Sequence, residues 1–167
     1  YLRKHNLLTF SFVRHPYERL VSGYLYLIVE NQAKYLYSHH PWIKKWYMKN
    51  HSFSSFVNLV LEKYKMNFVN GHWEPLYTHC NFCEVGYEVI GRMETFSDDV
   101  RYIIKKKNLE KIIPLSQTKL AVRPKSGARK KDIKSKTQKM ATLLMSQLTK
   151  NQLDGLYSMY QTDFEMF

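Results

Sequence analysis

The sequence predicts an α/β domain, on three observations. Leu7–Val13 is a short apolar run, rich in aromatic and β-branched residues and bounded by a polar tip, which reads as a buried strand. It leads straight into a segment opening at Pro16, where Tyr17, Leu20, Val21, Tyr24, Leu25 and Ile28 recur at helical spacing. A second strand and helix follow at Tyr87–Gly91 and from about Ser97 to Lys107, the helix with Val100, Ile103 and Ile104 on its inner face. At 167 residues the chain is long enough for one domain with a sizeable core.

Pro16 suits a first helical turn, where its missing N–H costs nothing. Residues 31–41 are polar and aromatic and read as a loop or broken helix. Trp42 to Asn50 mixes Trp42, Trp46 and Tyr47 with Lys44, Lys45 and Lys49. It reads either as an amphipathic helix packing its Trp residues inward or as the wall of a glycan groove. Ser52 or Ser54 caps a helix whose buried stripe is Phe56, Val57, Val60 and Leu61. Residues 114–139 read as a solvated linker carrying Arg123, Lys125, Arg129, Lys130, Lys131, Lys134, Lys136 and Lys139 against the acid Asp132. That run also suits an anion clamp or a nucleic-acid patch. Residues 140–160 are helical by periodicity, through Leu143, Leu144, Leu148, Leu153, Leu156, Tyr157 and Tyr160, with Asp163 beyond them as a cap or salt-bridge partner.

A formal charge of +12 implies a polyanionic partner: nucleic acid, acidic membrane, or a sulfated or uronate-rich glycan. A hydrophobic content of 44% excludes a disordered chain, and no apolar run approaches a membrane span. Cys80 and Cys83 form a lone Cys-x-x-Cys with three readings. A zinc site could recruit His72 and His79, but it lacks a second ligand pair. A redox motif lacks its thioredoxin-like context, and a disulfide is favoured if the chain is luminal. Asn50-His51-Ser52 is an N-glycosylation sequon.

Arg14 stands at the tip of the first strand and Ser22 early in the helix after it. In an open sheet that junction faces ligands, and a guanidinium fork plus a hydroxyl suits phosphate oxygens. The same residues also read as surface charge and a helix hydroxyl, and spacing alone does not choose.

The segment Val13-Arg14-His15-Pro16-Tyr17-Glu18-Arg19-Leu20-Val21-Ser22-Gly23-Tyr24 resembles the 3′-phosphate-binding segment of the Golgi carbohydrate sulfotransferases. The branch is that of the chondroitin and dermatan 4-O-sulfotransferases and the HNK-1 sulfotransferase. His72-Trp73-x-Pro75, Cys80-x-x-Cys83, Tyr87-x-x-Ile90-Gly91-x-x-Glu94-Thr95 and the C-terminal stretch from Leu148 to Phe167 are similar to the same branch, in the same order. Where that family has an acidic residue after the Arg, His15 stands here.

The resemblance implies a P-loop-like fold with a central parallel sheet, and sulfuryl transfer from 3′-phosphoadenosine-5′-phosphosulfate to a glycan hydroxyl, of the chondroitin or dermatan GalNAc type. It implies that Arg14 and Ser22 hold the donor, that no metal takes part, and that the acceptor is a glycan rather than nucleic acid. It further implies a Golgi-luminal domain of a type II membrane protein with an upstream anchor. The family's basic 5′-phosphosulfate segment should precede Tyr1, so the first βα unit is expected to be missing and the fragment to be catalytically incomplete. The acceptor hydroxyl must lose a proton, and His72 is the leading candidate base, with Glu74 as the alternative and His79 and His15 behind them. Two other readings compete: a non-catalytic basic module binding glycosaminoglycan or nucleic acid, and a nucleotide-kinase-like enzyme.

Overall fold

The computed structural model describes residues 7–29, 41–49, 51–68, 70–113 and 130–167. The chain divides into two compact units, Tyr1–Arg14 with Leu76–Lys134, and His15–Pro75 with Ser135–Phe167.

The first unit is built on a parallel pair of strands, β1 (Phe10–Val13) and β2 (Val89–Arg92), in register from Phe10 opposite Val89 to Val13 opposite Arg92. The β-branched and aromatic residues seen in the sequence form this ladder, and Val13 is its buried end. Gly91 is required where it stands, because a Cβ there would lie 2.5 Å from the Phe12 ring. That ring packs on Phe96 with centroids 4.5 Å apart. Between the strands in chain order lie two single turns of helix, α4 (Leu76–His79) and α5 (Phe82–Val85), preceded among the described residues by three helices of the second unit. After β2 comes α6 (Phe96–Lys106), on whose expected inner face Ile103 and Ile104 are buried while Val100 is half-buried. Asp99 fixes its start: Oδ2 accepts from the Arg92 N–H at 2.8 Å and the Thr95 hydroxyl at 2.7 Å.

The second unit is helical. It contains α1 (Pro16–Val29), α2 (Pro41–Lys49), α3 (Phe53–Lys65), most of α7 (Lys130–Met145) and α8 (Lys150–Met166). Leu20, Val21 and Leu27 of α1 join Ile43 and Trp46 of α2, Phe53, Phe56, Val57 and Val60 of α3, and Leu156, Met159 and Tyr160 of α8 in one core. Ser52 is the cap of α3, its hydroxyl accepting from the Ser55 N–H at 3.2 Å. The amphipathic reading of α2 holds: Ile43 and Trp46 are buried, and the Trp46 indole N–H donates to Ser55 Oγ at 2.8 Å. The groove-wall reading therefore fails for Trp46.

Two expectations near the C-terminus are corrected. Residues 130–139 are helical rather than linker, because the run after Gly127 is mostly lysine and other residues that a helix accommodates. The helix expected over 140–160 is two helices, broken at Ser146–Thr149. There Thr149 caps α8 in a full capping box with Gln152. The Gln152 side chain is buried, and its amide N–H groups donate to the Ser54 carbonyl at 2.9 Å and Asn58 Oδ1 at 2.7 Å, tying α8 to α3. Asn50, residues 31–40 and residues 114–129 lie outside the described residues. Among the described residues no helix is long and apolar enough to cross a membrane.

Candidate active site

The turn Asn70–Pro75 carries both candidate bases. Asn70 is buried and organises it: its side-chain oxygen accepts from the His72 N–H at 2.9 Å, and its carbonyl accepts from Trp73 and Glu74 at 3.0 and 2.9 Å. This is the local turn that an Asn side chain favours. Trp73 then points inward, 1% exposed, edge-on to Phe56 with centroids 5.1 Å apart. His72 and Glu74, on either side of it, are exposed and half-buried.

Two side chains from other elements pin the backbone of this turn. The Tyr160 hydroxyl donates to the Trp73 carbonyl at 2.5 Å. The guanidinium of Arg19 donates through Nη1 to the Glu74 carbonyl and through Nη2 to the Gly71 carbonyl. Burial pushes the Tyr160 phenol well above its usual range, against a smaller opposing pull from Arg19. Gly23 of α1 lies beneath, where a Cβ would stand 3.2 Å from the Trp73 ring and 3.5 Å from the His72 carbonyl oxygen. The imidazole of His72 stacks on Tyr26 of the same helix, centroids 4.8 Å apart and planes 29° from parallel. A histidine is thus presented at the surface by a backbone anchored in the core, which is a geometry suited to proton transfer.

Arg19, Asn70, Tyr26 and Tyr160 are the residues that sequence reasoning missed as parts of this site. Asn70 offered a signal as a turn former just before Gly71, whereas the other three are distant in sequence and carried none.

The remaining candidates lie on other elements. Arg14, half-buried, follows β1 in the first unit, and Ser22, half-buried, lies in α1 of the second. His15 caps α1: its carbonyl accepts from Arg19 at 3.0 Å, its Nδ1 accepts from the Tyr17 N–H at 3.2 Å, and its ring meets Phe164 edge-on at 5.6 Å. That ring nitrogen is engaged in the helix cap. His79 is exposed at the end of α4. Cys80 and Cys83 are free thiols, and the expected disulfide is not formed. Asn81 between them takes the left-handed conformation (φ 50°), so Cys80 follows one helical turn while Cys83, exposed, belongs to the next. Among the described residues no group of three or more His, Cys, Asp or Glu could hold a metal ion. Asp163 is buried, its carbonyl accepting from Phe167 at 3.1 Å.

The family model described as "Sulfotransferase family" matches residues 2–167. The chain is 28% identical to carbohydrate sulfotransferase 11 of Danio rerio, an alignment covering 99% of this chain and 47% of that protein. It is 26% identical to carbohydrate sulfotransferase 10 of Xenopus laevis over 99% of this chain and 48% of the relative. It is 23% identical to carbohydrate sulfotransferase 9 of Homo sapiens over 93% and 36% respectively. The chain thus spans about half the length of the first two of these relatives. No solved structure matches it significantly.

Proposed function

The chain belongs to the sulfotransferase family, and we propose that it forms part of a carbohydrate O-sulfotransferase using 3′-phosphoadenosine-5′-phosphosulfate as donor. The acceptor we assign is a hydroxyl of a chondroitin- or dermatan-type GalNAc, and the location the Golgi lumen, in a protein anchored to the membrane. The observation that carries the reading is His72, exposed on a turn whose neighbouring carbonyls are fixed by Arg19 and Tyr160. A base that must meet one particular hydroxyl gains from such fixation, because misplacement by an ångström is costly to rate.

In the proposed reaction His72 takes the proton of the acceptor hydroxyl as its oxygen attacks sulfur. The bond from sulfur to the 5′-phosphate oxygen breaks, and 3′-phosphoadenosine-5′-phosphate leaves. Glu74, on the same turn, is the alternative base. Arg14 and Ser22 are assigned to the donor's 3′-phosphate, Arg14 through its charged fork and Ser22 through its hydroxyl. The parallel β1–β2 pair supports a P-loop-like core. The net charge of +12 suits an anionic chain as acceptor.

The test is transfer of labelled sulfate from the donor to desulfated chondroitin and dermatan, with protein expressed from the complete open reading frame. Arg14→Ala is expected to raise the donor KM strongly, and His72→Ala to lower turnover by about 10²–10⁴-fold. Full activity in His72→Ala would move the base to Glu74. Salt-sensitive binding to the glycan, with no nucleotide binding and no transfer, would instead establish a non-catalytic basic module.

A further inference from the structure

We propose that Arg19 is a positioning residue that acts on turnover through His72, a role that rests on the assignment of His72 as base. The guanidinium of Arg19 lies against this turn. Its two terminal nitrogens donate to two backbone carbonyls, those of Gly71 and Glu74, which bracket His72 and Trp73. The planar fork of an arginine sets a fixed spacing between two acceptors, which the single ammonium of a lysine does not. The distance between the ends of the turn is therefore governed by a side chain of α1.

The same helix supplies the surface on which His72 rests. Arg19, Gly23 and Tyr26 fall three and four residues apart and so share one face. Arg19 holds the turn's carbonyls, Gly23 leaves room for the Trp73 ring, and Tyr26 stacks on the imidazole. Trp73 and Tyr160 hold the middle of the turn from the core side. Loss of the fork leaves the Trp73 anchor in place and frees the two ends, so His72 loses its register on Tyr26 while the helical core persists.

The experiment uses the protein from its complete reading frame and compares Arg19→Lys, Arg19→Gln, His72→Ala and the double variants. Each is followed by steady-state kinetics and by amide hydrogen exchange. Arg19→Lys and Arg19→Gln are both expected to lower kcat on the order of 10²-fold with the donor KM nearly unchanged. On the His72→Ala background the same changes should cost no more than about twofold further, since residues acting as a unit are not additive. The Trp73 and Glu74 amides should exchange faster in both single variants, with those of α3 unaltered.

Recovery of turnover by Arg19→Lys would overturn the role, because charge alone would then suffice. An equal loss on the His72→Ala background would overturn it too, leaving His72 as base. Wild-type turnover in His72→Ala would overturn the base assignment and the positioning role together. Unchanged exchange at Trp73 and Glu74 would overturn the strut even in a protein with no measurable turnover.

Discussion

His72-Trp73-Glu74-Pro75 and Cys80-Asn81-Phe82-Cys83 are equally conspicuous as sequence motifs, yet they are held in different ways. The first is drawn into a core. Trp73 and Pro75 are buried, and the backbone between them is bonded by Tyr160 and Arg19 from helices far away in sequence. The second lies across two single helical turns with a left-handed residue between them. It is tied locally, by the Tyr87 hydroxyl seven residues on donating to the Cys80 carbonyl at 2.8 Å, and Phe82 is its buried side chain. A motif's visibility in sequence therefore says little about its rigidity. What separates the two is whether a large side chain inside the motif is committed to a core built by other elements.

The contrast is sharpest at Trp73. Trp73→Ala is expected to cost about 3–5 kcal/mol, since it removes a buried aromatic and leaves a cavity against Phe56. Denaturant unfolding measures this, and a loss under about 1 kcal/mol would mean that the turn is not anchored by its tryptophan. Tyr160→Phe is next, at about 1–3 kcal/mol, because the Trp73 carbonyl loses a buried donor.

That variant also has a pH signature. Burial favours the neutral phenol and raises its pKa above the ordinary value of 10.0, so the associated stability is complete below pH 10.0 and is lost as pH climbs above it. The advantage of wild type over Tyr160→Phe should therefore shrink between about pH 8 and about pH 11 when unfolding is followed at both. A constant difference would show that the phenol does not titrate with folding.

In the first unit, Gly91→Ala is expected to cost about 1–3 kcal/mol, through the 2.5 Å approach of the new methyl to the Phe12 ring. Thermal unfolding would register it, and an unchanged midpoint would show that the ring swings aside freely. The smallest effect is at the cysteines. Cys83→Ser, exposed and unbonded, should leave Tm within about 2 °C under reducing and non-reducing conditions alike. A drop confined to non-reducing conditions would reveal a disulfide and reverse the contrast between the two motifs.

The local order of this protein was legible without coordinates. The apolar period changes at Pro16, Ser52 stands before an apolar stripe, and Ile103 and Ile104 sit on one face, because strand, cap and helix each rest on residues within a few positions of one another. The break at Thr149 belonged to the same class. Thr149 and Gln152 spell a capping box, but the leucines around it, at helical spacing, masked it.

The exposed His72 and the half-buried Glu74 were found as candidates from their motif and from family resemblance, not from any period. Tertiary structure alone decided what holds them. Arg19 and Gly71, Tyr160 and Trp73, and Tyr26 and His72 meet only after α1, α8 and the turn have packed on a shared core. It also decided that His15 caps a helix and that the two thiols fall on separate turns. Periodicity reports which face of an element is buried, whereas the partner met there depends on the packing of whole elements. No interval in the sequence encodes that distance.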